Sequence, residues 1–281
     1  MKMRRLLCCF FIIAAAACNT PRYVYSPAAH NVPLLTQKGD SKLGVLYSSN
    51  SGGDDEIINF GRATSNGVDI HAAYAVSNHW ALQFNYFYRH EKNGDEFNNS
   101  PTLIRYNRNL TELAAGYFTP VNSQKNIFFH GYAGAGAGKF QFKDYEINGS
   151  SLLYRNYHQA DIFKFFIQPV LMYQHKKVSS VSISSRFSFL SYNNIKTDYD
   201  SSQLALYELA ALSRGGAVVF WEPAFVYAQG LKKFPFLRLE LQAGISALLS
   251  RRFVDTRTFN ISLGLQADIR NLLKNKPAKK D

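Results

Sequence analysis

HWALQFNYFYRH, residues 79–90, carries two chemistries on alternate positions. Trp80, Leu82, Phe84, Tyr86 and Tyr88 fall on one parity, and Ala81, Gln83, Asn85, Phe87 and Arg89 on the other. Successive side chains of an extended strand point to opposite faces. The stretch therefore predicts a strand with one large apolar face and one mainly polar face.

The same period returns along most of the chain. Val181, Ile183, Phe187 and Phe189 alternate with Ser182, Ser184, Arg186 and Ser188. Leu237, Leu239, Leu241, Ala243 and Ile245 alternate with Arg238, Glu240, Gln242 and Gly244. Phe259, Ile261, Leu263 and Leu265 alternate with Asn260, Ser262, Gly264 and Gln266. Segments 68–77, 163–174 and 218–228 follow suit, and 42–49, 103–118 and 127–143 do so more weakly. Together these predict about ten strands (8–12 fit the pattern), several of them longer than the five or six residues of an average globular strand. A strand tilted across a bilayer needs about 9–11 residues. The one helical patch is SQLALYELAAL, 202–212.

The connections alternate in length. Short ones are VSNH (76–79), TPVNSQKN (119–126), QHKK (174–177) and GLKK (230–233). Long ones, rich in Asn, Asp, Gly and Ser, are expected at 50–66, 91–101, 144–153, 194–216 and 249–257. Alternating strands with short turns on one rim and long loops on the other resemble the small outer-membrane β-barrel proteins of Gram-negative bacteria. The resemblance is one of pattern and covers the chain from about residue 42. It implies an all-β, single antiparallel up-and-down transmembrane barrel, with the short turns and both termini in the periplasm. It also implies that the apolar parity faces lipid and the polar parity is enclosed. Trp80, Tyr86, Tyr88, Tyr117, Trp221 and Tyr227 fall where interfacial aromatic girdles form. Aromatics make up 15% of the chain.

The beginning of the sequence reads as an export signal. Lys2, Arg4 and Arg5 precede an apolar run, Leu6 to Ala17, that is too short to cross a bilayer as a helix. Ala15-Ala16-Ala17-Cys18 resembles the lipobox of bacterial lipoproteins, with Ala15 where Leu is usual. That resemblance implies a covalent lipid on Cys18. Of the three cysteines, Cys8 and Cys9 lie within the signal, so no disulfide framework is expected. The expected divisions are a signal peptide at 1–17, a lipidated tether at 18–41, a barrel at 42–270 and a basic tail at 271–281.

The net charge of +12 points, for an exported chain, to anionic lipid, lipopolysaccharide phosphates or peptidoglycan rather than nucleic acid. The chain is expected to be a monomer. The enclosed parity holds Asp69, His71, Arg89, Lys164, Arg186, Arg238, Glu240, Asp268 and Arg270. Unpaired buried charges cost several kcal/mol each, so mixed signs predict a polar network that closes a narrow lumen. Wide aqueous channels belong to barrels of 16–18 strands.

Catalytic signals are weak. GYAGAGAGKF (131–140) fails as a phosphate loop: Ala133 stands where glycine is needed, and Phe140 where Ser or Thr is needed. Gly134, Gly136 and Gly138 are expected to give a bulky neighbour room. The seven histidines are scattered, so no metal or other cofactor is expected. Ser184, Ser188, His71 and Asp268 supply the residue types of a lipid hydrolase without a spacing that marks one. The reading is a non-catalytic outer-membrane lipoprotein with a structural or surface-binding role. The alternatives are a narrow solute channel, a lipid-modifying enzyme and a soluble periplasmic β-rich lipoprotein.

Overall fold

A computed structural model of the chain describes residues 22–52, 63–95, 102–175, 178–213, 216–250 and 254–270. The signal sequence, Cys18, much of loops 50–66 and 91–101, and the tail from 271 lie outside the described residues. The strands are β1 (Val24–Tyr25), β2 (Ser41–Ser51), β3 (Ala63–Ala75), β4 (Trp80–Asp95), β5 (Thr102–Pro120), β6 (Ile127–Asn148), β7 (Ser151–His175), β8 (Ser179–Thr197), β9 (Val218–Leu231), β10 (Phe234–Ile245), β11 (Ala247–Leu248), β12 (Asp255–Thr256) and β13 (Phe259–Ala267). Two short helices, α1 (Ser201–Leu206) and α2 (Leu209–Ser213), stand where the helical patch is expected.

Ten strands, β2 to β10 and β13, form a closed antiparallel barrel. Each pairs with its neighbour in sequence, β13 pairs with both β10 and β2, and β9 pairs with β10. Closure leaves no unpaired edge around the wall, which satisfies the strand backbone without water.

The parity is the one predicted. Leu239 and Ile261 are 43% and 60% exposed, whereas Arg186, Asn260 and Arg238 are 0%, 5% and 9% exposed. In the opening stretch Trp80, Leu82, Phe84 and Tyr88 face outward, while Gln83, Asn85 and Arg89 are buried inside. Eight residues separate Trp80 from Tyr88, about 27 Å along the strand. At a tilt of about 40° this is about 21 Å of height, close to the apolar band of about 25 Å on outer-membrane barrels. The lower edge carries Trp80 edge-on to Tyr117, with ring centroids 5.6 Å apart.

The wall continues well above this band. β6 and β7 have 22 and 25 residues, at least twice what a crossing needs. The expected loop 144–153 is instead the upper end of this hairpin, turned at Gly149, whose φ is +59°. Likewise β4 runs through the first residues of the expected loop 91–101. Above the band many outward positions become polar, as at His90, Lys92, Asn107, Lys139 and Lys143, while Leu153 and Tyr154 stay exposed near the hairpin tip. The inward positions become apolar: Phe87, Tyr106, Leu110, Phe140, Phe142 and Phe220 join one buried cluster. Where lipid ends outside, the chemistry of the two faces exchanges, because water now wets the outer wall and an apolar core stabilises the inside.

Gly134, Gly136 and Gly138 lie on β6 opposite β5. A Cβ on Gly134 would approach Ala114 Cβ and Phe166 Cζ to 2.7 Å. The glycine makes room for the Phe166 ring inside the wall. Gly134→Val is expected to lower stability by about 1–3 kcal/mol, the usual cost of overpacking, measured by urea titration in lipid vesicles.

Candidate functional site

The lumen is filled by the chain's own N-terminal segment. Residues 22–33 are buried, and Leu35 is fully so. The segment starts beside the long loops, where Arg22 N donates to Tyr207 O and the Arg22 guanidinium stands 3.9 Å from Asp144. There β1 pairs in parallel with β12. The segment ends at the short-turn rim, where Thr36 and Gln37 donate to Asp40 Oδ2 and Gly39, with φ +85°, turns the chain into β2. The expected free tether is therefore a plug. Beyond β1 the segment has no paired strand among the described residues to hydrogen-bond its backbone, so the wall must supply partners.

It does so with inward side chains. The Gln242 amide accepts from His30 N at 2.9 Å and donates to His30 O at 2.7 Å, as an adjacent strand would. Asn31 O accepts from Gln168 at 3.0 Å and Gln83 at 3.3 Å, and Asn31 Nδ2 donates to Asn85 Oδ1 at 2.8 Å. Pro27 O accepts from Asn50 at 3.0 Å and Arg89 at 3.2 Å. Arg108 donates to Ser26 O at 3.3 Å and also to Val24 O. Tyr25 donates its hydroxyl to Glu222 at 2.8 Å, and Tyr23 OH bonds His158 Nε2 at 2.6 Å. Pro27 and Pro33 suit such a segment, because a proline brings no N–H in need of a partner.

Ion pairs brace the wall around the plug. Arg89 bridges Asp69 at 2.9 Å, Lys164 bridges Glu112 at 2.9 Å and Lys42 bridges Glu240 at 2.7 Å. Arg108 and Arg257 approach Glu91 at 3.6 and 3.8 Å. Arg186 gives two hydrogen bonds to Gln168, and His30 Nδ1 lies 2.8 Å from Ser184 Oγ. These pairs are fully buried, so each partner depends on the other to offset its lost hydration.

Of the nine charged or titratable positions expected inside, Asp69, His71, Arg89, Lys164, Arg186, Arg238 and Glu240 are buried in the lumen. Asp268 and Arg270 are at its short-turn end. Asp268 lines a rim recess of about 10 Å³ with Leu34, Lys42, Arg238 and Gln266, space for about one water molecule. Arg270 reaches outward to Asp40 Oδ1 and Lys38 O, both at 3.0 Å, so it clamps the turn rather than joining the lumen. Sequence reasoning missed Glu91, Arg108, Glu112 and Arg257. The inward parity of β5, with Arg108 and Glu112 between Tyr106, Leu110 and Ala114, carried the signal for two of them. The four candidates for a hydrolytic centre do not meet: Ser184 bonds His30, Ser188 bonds Glu222, and Asp268 is at the rim. Among the described residues no three His, Cys, Asp or Glu side chains converge as metal ligands.

The upper mouth is capped by the loop between β8 and β9. Tyr199 donates its hydroxyl to Asp144, and Leu209 packs onto the apolar cluster with Tyr23. Burial, reinforced by Asp144, holds the Tyr199 phenol well above its ordinary pKa, which keeps it a donor. The described chain thus begins at the long-loop rim and ends at the short-turn rim. The expected placing of both termini at the short-turn rim concerns residues outside the described ones.

No family model matches the chain, and no curated protein matches it. Solved structures do. An outer membrane channel from Pseudomonas putida F1 is 10% identical, with 86% of this chain and 100% of that one covered and a TM-score of 0.42. The outer membrane protease OmpT of Escherichia coli is 7% identical, with coverages of 85% and 99% and a TM-score of 0.41. Ail, the attachment invasion locus protein of Yersinia pestis, is 13% identical, with coverages of 82% and 97% and a TM-score of 0.30. All three are outer-membrane proteins of differing roles, and likenesses this distant carry nothing about activity.

Proposed function

We propose that the chain is a monomeric, non-catalytic outer-membrane barrel, sealed by its own N-terminal segment, that displays a rigid binding platform at the cell surface. The observation that carries this reading is the plug. The polar side chains that would line a conduit or build a catalytic centre are engaged with residues 23–32. What remains open is the upper wall, where β4 to β8 stand above the apolar band as a folded collar around a packed core. The long-loop rim is the exterior one in this reading, as the asymmetry of turns supports. Cys18 is four residues before Arg22, within about 14 Å of contour length. A lipid on Cys18 then belongs to the leaflet at the long-loop rim, not the periplasmic leaflet that the turn pattern alone suggests.

Single cysteines at two turns test the orientation. With Cys18 changed to Ser, Ser150→Cys at the tip of the β6–β7 hairpin is expected to react on intact cells with a membrane-impermeant maleimide. Ser123→Cys in the β5–β6 turn is expected to react only after the envelope is opened. The reverse pattern would turn the barrel over. Purified protein in planar bilayers is expected to show no discrete conductance.

A further inference from the structure

Just above the apolar band, the outward wall of β4–β6 holds a row of like charges. Lys92 pairs in register with Arg105, and Arg105 with Lys143. All three side chains are on the outer face, two of them exposed and Arg105 half-buried. Lys139 lies two outward positions below Lys143, between Asn109 on β5 and Asp161 on β7. Directly opposed cross-strand neighbours have Cβ atoms about 5 Å apart, and like charges so placed destabilise a sheet.

Of the nearby carboxylates only Asp161 is in register with a member of the row, Lys139, and Lys92, Arg105 and Lys143 have none directly opposite. Asp161 accepts from Asn194 at 2.9 Å, Asp198 from the Tyr154 hydroxyl at 2.5 Å, and Glu146 bridges Arg155. None of Lys92, Arg105, Lys139 and Lys143 forms an ion pair among the described residues. The Arg105 guanidinium lies over the Tyr145 ring at 5.3 Å, and its Nε is buried without a hydrogen-bond partner. The ring holds the guanidinium against the wall, its donors ready for a ligand approaching from the side.

The height of the row identifies the ligand chemistry. On β4 the last apolar outward residue is Tyr88, and Lys92 is the second outward position beyond it. That is about 14 Å along the strand, or about 10 Å of height, within reach of the headgroups bordering the band. We propose that Lys92, Arg105, Lys143 and Lys139 form a docking surface for the phosphate groups of an outer-leaflet phosphorylated glycolipid, the chemistry of lipopolysaccharide. Arg is suited to bidentate phosphate binding, and the two flanking lysines add charge without fixed geometry. The proposal rests on the long-loop rim facing outward.

The test uses the full chain refolded in detergent micelles and titrated with three probes: lipopolysaccharide, the same material enzymatically stripped of phosphate, and phosphatidylglycerol. Lipopolysaccharide is expected to bind at least tenfold more tightly than the stripped form. The combined Lys92→Gln, Arg105→Gln and Lys143→Gln substitutions should weaken its binding about tenfold or more, given that each cation near an anionic surface contributes roughly a fivefold factor. Circular dichroism of the variant should be unchanged, and a Lys92→Arg, Lys143→Arg variant should bind as the parent does. Equal binding by the triple variant, equal binding of the stripped form, or loss of binding in the arginine variant overturns the proposal. Phosphatidylglycerol bound as tightly as lipopolysaccharide, and lost equally in the triple variant, overturns the glycolipid assignment. Micelle binding is independent of which rim faces outward, so an orientation error is read separately from the maleimide pattern.

Discussion

Lys164→Met is expected to destabilise the barrel by about 3–5 kcal/mol, the cost of leaving a buried carboxylate without its partner. Lys164 and Glu112 are 2.9 Å apart with side chains 0% and 1% exposed. Asn85 also donates to Glu112, at 3.0 Å, which limits the loss without cancelling the charge. The matched pair Lys164→Met with Glu112→Leu removes both charges. It should recover most of the stability, because two apolar groups of similar volume no longer carry the desolvation cost. Urea unfolding of the three variants in lipid vesicles measures the difference. If the double variant is as unstable as Lys164→Met alone, the two residues do not act as a pair, and the lumen is braced in some other way.

A larger change is expected from exchanging residues 22–35 for a Gly/Ser sequence of equal length. The exchange leaves the wall intact and removes Tyr23, Tyr25 and the matched Asn31 side chain from the interior. Gln242, Gln168, Asn50 and Arg108 lose a well-positioned backbone to bind. Water then enters to solvate them. Discrete conductance in planar bilayers is expected where the parent shows none, together with lower resistance to urea. The less disruptive Asn31→Ala, Gln242→Ala variant should give brief openings, since it removes the amides that grip the segment at His30 and Asn31. An electrically silent Gly/Ser variant that retains the parent's β-sheet spectrum would show that the wall alone closes the lumen.

The wall was legible because lipid and lumen demand opposite chemistry at adjacent positions. Trp80 to Tyr88, Phe187 and Ile261 declare a period of two without ambiguity. Residues 22–33, RYVYSPAAHNVP, show no such period because the segment is enclosed on all sides and buries both parities. Its two prolines, Pro27 and Pro33, read as a linker in sequence and as part of a donor-poor plug in the fold. The stretch 144–153 was hidden for a different reason. Above the lipid band the outer wall is wet, so Lys143, Asn148 and Arg155 give it the polarity of a loop, although its backbone is a continuous ladder. Site residues followed the same rule: Arg186 and Glu240 stood out against apolar neighbours. Arg108 and Glu112 shared their face with Tyr106 and Leu110, where the inside turns apolar.

The threaded segment also constrains the order in which the molecule is built. Its last residues turn at Gly39 directly into β2, and β2 makes the seam with the final strand, β13. A finished ring leaves no lateral slot through which a strand-like peptide with bulky tyrosines could be inserted. Lateral entry is open only while some strand pairing is still unmade, and the β2–β13 joint, which brings the two ends of the wall together beside the segment, is the expected place for it to close. Once closed, that joint is a clasp: the segment cannot leave sideways until it reopens.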